Sequence, residues 1–155
     1  MNMMAATSTE SVLPERHVWP ESSRGCAFAT VMIATRDLEV RDALTGILEG
    51  QGIEIESVKG VEAAKGLLAA SSVAACLCGF GLEDGTYKDL VKHARRQTPG
   101  VPVVIVSTPS CGNEYREYLA AMNAGAFDFL CHPYQRHEVE RILRVALSPS
   151  RHVAL

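Results

Sequence analysis

The sequence predicts an α/β domain, a doubly wound (βα)5 fold built on one parallel five-stranded sheet. Three observations predict it. From Cys26 onward, short apolar runs alternate with longer stretches of helical period, which is the sequence form of repeated βα units. Most of those apolar runs are nearly continuous, as parallel strands covered on both faces are. The chain has 155 residues, 47% of them apolar; at about that length, roughly 68–70% of the unfolded surface is buried on folding. A single domain can therefore build a full core without disulfides or metal.

The strands are read at residues 28–34, 53–58, 73–78, 101–107 and 126–131. Only the second alternates, as Ile53, Glu54, Ile55, Glu56, which places it at a sheet edge with one face toward water. Between the strands, apolar residues recur at helical spacing. Val40, Leu44, Ile47 and Leu48 mark the first helix, with Asp37 as its N-cap and Gly50 and Gly52 closing it. Val61, Ala64 and Leu68 mark a shorter second helix. Tyr87, Leu90, Val91 and Ala94 form the stripe of the third, Tyr115, Tyr118, Leu119 and Met122 that of the fourth, and Val139, Ile142, Leu143 and Ala146 that of the fifth. The aromatic residues in these stripes are expected in the core. Residues 1–25 read as a flexible arm, 26–148 as the domain and 149–155 as a short tail; Trp19 reads as a partly covered aromatic within the arm.

A formal charge of −3, with no run of five like charges, gives no electrostatic footprint for direct nucleic-acid binding. No segment has the apolar core of a signal peptide or approaches 18 uninterrupted apolar residues, so no membrane association is expected. The five cysteines contain no CxxC pair, which fits a reducing compartment. A cytoplasmic location is the expectation.

In open parallel sheets ligands bind at the carboxyl ends of the strands, so function is sought there. The segments that reach those ends are VMIATRDLEVRDAL, then GFGLEDG after the third strand, PVVIVST, and GAFDFLCHPY. Together they resemble the receiver domain of bacterial two-component response regulators over residues 27–147. The resemblance implies a flavodoxin-like fold with sheet order 2-1-3-4-5. It also implies a phosphorylation site made of an acidic pair after the first strand, an aspartate nucleophile after the third, a hydroxyl after the fourth and a lysine before proline after the fifth. The chemistry divides among these groups. Carboxylates hold the hard magnesium ion, a carboxylate attacks phosphorus, and hydroxyl and cation receive the transferred oxygens.

Matched residue by residue, the acidic pair falls on Thr35 and Arg36, the nucleophile on Gly79, the hydroxyl on Ser107 and the lysine on His132. Only the hydroxyl survives in kind. The resemblance thus implies a degenerate receiver, a pseudo-receiver without phosphoacceptor or magnesium site, needing no cofactor and catalysing no reaction. Its work in the phosphorelay would be protein–protein interaction. The implied partners are a histidine kinase, another response regulator or a second copy, the last through the fourth helix, fifth strand and fifth helix. Phe129 takes the position of the family's switch aromatic, here with no phosphate to move it. No output domain follows the fifth helix, so a stand-alone adaptor is expected.

Other readings of the same residues remain open at this point. A shifted register would make Asp84 or Glu83 the acceptor, at the cost of running a strand through Gly79, Gly81 and Gly85. Arg36, Ser107 and His132 could instead receive a small anion or a nucleotide phosphate, unless Arg36 merely pairs with Asp37, Glu83 or Asp84. Cys78, Cys111, Cys131 and His132 suggest a thiolate or zinc site, although successive strand residues such as Cys131 and His132 point to opposite faces.

Overall fold

The computed structural model describes residues 29–70, 72–109 and 113–148. The arm at 1–25 with Trp19, the tail at 149–155, and Cys111 lie outside the described residues. The main elements are β1 (Ala29–Ala34), α1 (Leu38–Leu48), β2 (Ile53–Val58), α2 (Val61–Ala69) and β3 (Val73–Gly79). A small hairpin of β4 (Gly81–Leu82) and β5 (Gly85–Thr86) follows. The chain continues through α3 (Tyr87–Gln97), β6 (Val103–Val106), α4 (Glu114–Ala124), β7 (Asp128–Leu130) and α5 (Arg136–Ala146).

β2, β1, β3, β6 and β7 lie side by side in that order in one parallel sheet, the doubly wound flavodoxin-like arrangement expected. Strand alternation splits the core between the two faces of the sheet. From β1, Val31 and Ile33 join Val40, Leu44 and Leu48 of α1 and Val139, Ile142 and Leu143 of α5. Met32 and Ala34 join α2, α3 and Ala121 of α4 on the other face. β2 is an edge strand as its alternation demands, with Glu54 and Glu56 exposed and Ile53 and Ile55 half-buried. Among the described residues, no helix is long and apolar enough to cross a membrane.

The sequence-predicted strands at 101–107 and 126–131 are shorter in the structure. Val101 closes a turn by donating to the Thr98 carbonyl at 3.0 Å, and Ala126 follows the left-handed Gly125, whose φ of 110° ends α4. The residues just outside these strands still bond to their neighbours: the Pro102 carbonyl accepts from Cys76 N–H at 2.9 Å, and Phe127 N–H donates to the Val103 carbonyl at 2.8 Å. A second correction concerns α4. Tyr115 is 72%, Leu119 42% and Tyr118 40% exposed, and Ala121 is the one fully buried residue of that helix. The small Ala121 side chain brings α4 onto the sheet along a different stripe from the one the larger residues mark. The stripes of α1, α2, α3 and α5 are buried, apart from a half-buried Ile47.

Candidate functional site

Thr35 follows directly on β1 and is 3% exposed. Its N–H donates to the Val58 carbonyl at 3.0 Å, and its Oγ1 accepts from the Asp37 N–H at 3.1 Å. That turn sets Asp37 at the start of α1, where its carboxylate accepts from the N–H groups of Glu39 and Val40 at 2.9 and 3.3 Å. Asp37 is the N-cap that the sequence suggests.

β3 stops at Gly79, which is buried. A Cβ built on Gly79 would lie 2.7 Å from Thr35 Oγ1 and 3.1 Å from Thr35 Cβ. Gly79 is not among the glycines with positive φ, so space rather than backbone conformation excludes a side chain here. The Thr35 side chain fills the volume at the end of β3. The two residues are spatially complementary.

The chain then turns through the β4–β5 hairpin instead of extending β3, so the longer strand that the shifted register requires is not formed. Asp84 serves a helix instead. Its carboxylate accepts from Val61 N–H at 2.5 Å and Glu62 N–H at 3.2 Å, capping α2, whose own N-cap residue, Gly60, has no side chain to do so. These backbone donors hold the Asp84 carboxyl below its ordinary range. Arg36 is exposed and packs against Gly81: its backbone N–H donates to the Gly81 carbonyl at 3.4 Å, and a Cβ on Gly81 would lie 3.2 Å from its Nε. Among the described residues Arg36 forms no ion pair, so the suggested pairing with Asp37, Glu83 or Asp84 is not made. The backbone of α1 takes the Asp37 carboxylate, and that of α2 takes the Asp84 carboxylate.

At the end of β6, Ser107 is wholly buried and its Oγ accepts from the His132 N–H at 2.7 Å. The Ser107 carbonyl accepts from the Tyr134 hydroxyl. The His132–Pro133 peptide is cis, and the His132 ring meets Tyr134 edge-on at 5.4 Å between centroids. Burial pushes the Tyr134 hydroxyl well above its usual range, with the Asp37 carboxylate adding to the effect. The structure therefore joins Ser107 to His132 and Thr35 to Gly79, and it leaves Arg36 at the hairpin.

Phe129, on β7, is 6% exposed. Its ring lies 5.9 Å from Tyr118 in a T-shaped pair and 6.1 Å from Phe80, which in turn lies 6.0 Å from Tyr87. A row of four aromatic rings thus runs from α4 across the strand ends to α3. Both thiols of β3 are buried; desolvation pushes Cys76 up to about 12 and Cys78 well above its ordinary value. Such thiols stay protonated and are poor nucleophiles or ligands. Cys131 is half-buried, and among the described residues no three His, Cys, Asp or Glu side chains gather to hold a metal.

Several of these features were not read from the sequence. Thr86 and Asp89 form a reciprocal capping box at the start of α3, and the spacing of hydroxyl and acid three residues apart is a signal that reveals it. The aromatic row, the Tyr134 contact and the long-range cap from Asp84 carry no such local signal.

No family model matches the chain. By sequence it is similar to the response regulator protein PilR of Pseudomonas aeruginosa, 28% identical over 116 residues, covering 75% of this chain and 25% of that protein. It is also similar to the KDP operon transcriptional regulatory protein KdpE of Escherichia coli, 33% identical over 119 residues, covering 76% of this chain and 50% of that protein. The chain spans half or less of the length of these curated relatives. Among solved structures, a two-component response regulator from Clostridium difficile superimposes with a TM-score of 0.68 at 25% identity over 82% of this chain and 99% of that one. A protein from Chloroflexus aurantiacus, at 23% identity, shares the fold with a TM-score of 0.70 over 77% of this chain and 98% of its own. Sequence relatives and structural neighbours together support one assignment, a response-regulator receiver domain of the CheY-like kind.

Proposed function

We propose that this receiver domain acts in two-component signalling by protein contact, without being phosphorylated on aspartate. The observation that carries the proposal is Gly79. Gly79, which the resemblance matches to the family's nucleophile, has no side chain, and Thr35 takes the space one would need. Without a carboxylate oxygen there, no acyl phosphate forms.

The neighbouring groups do not suit magnesium either. That ion requires near-octahedral oxygen ligands, usually including carboxylates. Thr35 supplies a hydroxyl already bonded to Asp37 N–H, Arg36 supplies a cation, and the Asp37 carboxylate is held by two backbone N–H groups of α1. On the proposed function the domain acts without magnesium. What the domain offers a partner is its surface, including Tyr115 and Leu119 of α4. A histidine kinase, another response regulator or a second copy of the chain is the partner class, and the domain is a binding module rather than an enzyme.

Titration with magnesium chloride, read by the backbone amide resonances of Thr35, Gly79 and Ser107, tests this reading. The expected result is no saturable shift. Saturable, clustered shifts at these three residues would overturn it.

A further inference from the structure

The charges of β2 and α3 are arranged as complements. Ile53 and Ile55 of β2 pack into the cluster that holds α1 and α5, so Glu54 and Glu56, which alternate with them, project from the other face of the sheet, the one that carries α2, α3 and α4. Lys59 follows directly on β2. From the amino to the carboxyl end of the sheet, this edge reads acid, acid, base, and all three residues are exposed.

α3 returns from the carboxyl end of β3 toward the amino end of β6, so it runs against the strands. Asp89, Lys92 and Arg96, at i, i+3 and i+7, are exposed and share the flank of α3 that borders the groove with α2. In the same direction along the sheet, this row reads base, base, acid. Lys92 and Arg96 stand about 6 Å apart along the helix, close to the roughly 6.6 Å between Glu54 and Glu56 along the strand. Lys88 and Arg95, seven residues apart, lie on the opposite flank, where the Arg95 guanidinium donates to the Ala124 carbonyl at 3.4 Å. Among the described residues neither row forms an ion pair, whereas the other acids of the groove are engaged: Glu62 pairs with Lys65 at 3.3 Å, and Asp84 caps α2. Like charges four residues apart weaken a helix unless something outside it balances them.

α2 crosses β1 on its way from β2 to β3 and packs against α3, so it lies between the two rows. Its buried residues are Val61, Ala64 and Leu68, which leaves Ala63, Gly66 and the cap residue Ala70 as its outward ridge. A Cβ on Gly66 would meet nothing within 4 Å. Nothing between the rows obstructs a close approach.

We propose that this face pairs with the same face of a second copy of the chain, about a two-fold axis parallel to the strands. That axis exchanges the two sides of the face and keeps each level of the sheet. Glu54 of one copy then meets Arg96 of the other, Glu56 meets Lys92, and Lys59 meets Asp89, while the α2 ridges meet at the axis. Every pair is made twice, and the contact closes at two copies. It uses neither α4 nor the strand-end residues, so its failure leaves the proposed function standing.

Sedimentation velocity of the full chain over a range of concentrations tests the contact. At low ionic strength a monomer–dimer equilibrium is expected, and added salt should shift it toward monomer, as screening requires. Glu54→Lys with Glu56→Lys makes the edge row cationic, and Lys92→Glu with Arg96→Glu makes the α3 row acidic. All four positions are exposed, and circular dichroism confirms that each double variant is folded. Alone, each should lose the dimer, because rows of one sign then face each other. Mixed in equal amounts, the two should dimerise again, because reversed rows meet reversed rows and unchanged rows meet unchanged ones. Tyr115→Ala, on α4, should leave the equilibrium as it is. A parent chain that stays monomeric at low ionic strength overturns the proposal. So does a double variant that dimerises as the parent does, or a mixture that stays monomeric. Growth beyond two copies contradicts the closed two-fold contact, and dissociation by Tyr115→Ala places the interface on α4 instead.

Discussion

Gly79 and Thr35 form a matched pair in which the absence of one side chain makes room for the other. Placing an aspartate at position 79 therefore drives its Cβ into the Thr35 side chain. Gly79→Asp is expected to lower stability by about 1–3 kcal/mol, the usual cost of overpacking. Adding Thr35→Ala, which removes the hydroxyl 2.7 Å from the new Cβ, should recover part of that loss. Urea denaturation of the two single variants and the double variant measures the coupling, and strict additivity would contradict the account. On the proposed function neither change should allow phosphorylation, because Arg36 stands where the resemblance places the second acidic residue. Asp84 shows the same economy of roles. Its carboxyl is held low by the α2 backbone, so its folded value lies below the unfolded value of about 3.9. The stabilisation it supplies is present above the unfolded value and disappears as pH falls through the folded one. Asp84→Asn should accordingly flatten the acid side of the stability curve; a curve that stays parallel to that of the parent chain would show that the cap does not matter.

At the scale of elements, legibility followed how sharply each helix is divided. In α3 and α5 the apolar stripe is bordered by charged residues, and Tyr87, Leu90, Val91 and Ala94, like Val139, Ile142, Leu143 and Ala146, are buried where periodicity puts them. In α4 the run Leu119, Ala120, Ala121, Met122 and Ala124 is apolar on more than one face, so periodicity alone does not choose between them. Large residues marked one stripe and close approach favoured Ala121. The site divides in the same way. That Gly79 stands at the end of β3 was readable, because the glycines of the following loop argue against a longer strand. That Thr35 fills its space, or that Ser107 binds the His132 backbone, depends on contacts between distant segments that no local pattern records. With one buried residue, α4 is held less firmly than its neighbours, and its amide hydrogens should exchange faster than those of α3 and α5. Equal protection across the three helices, measured by hydrogen exchange with mass spectrometry, would count against this packing.

For the molecule as a whole, the two core clusters hold the carboxyl ends of β1, β3, β6 and β7 together whatever side chains stand there. The strand ends are thus held in place, while Thr35, Arg36 and Gly79, which the resemblance matches to the family's acidic groups, carry no carboxylate. The acid that gives the chain its charge of −3 is used elsewhere: Asp37 and Asp84 cap helices, Asp89 completes a capping box, and Glu54 and Glu56 face water on the edge strand. A domain organised this way supports recognition through its faces, with the aromatic row from Tyr118 to Tyr87 fixing Phe129 inside. The most direct test is the intact mass of the unmodified chain after incubation with acetyl phosphate and magnesium. The account predicts an unchanged mass, and a stable population heavier by one phosphoryl group would contradict it.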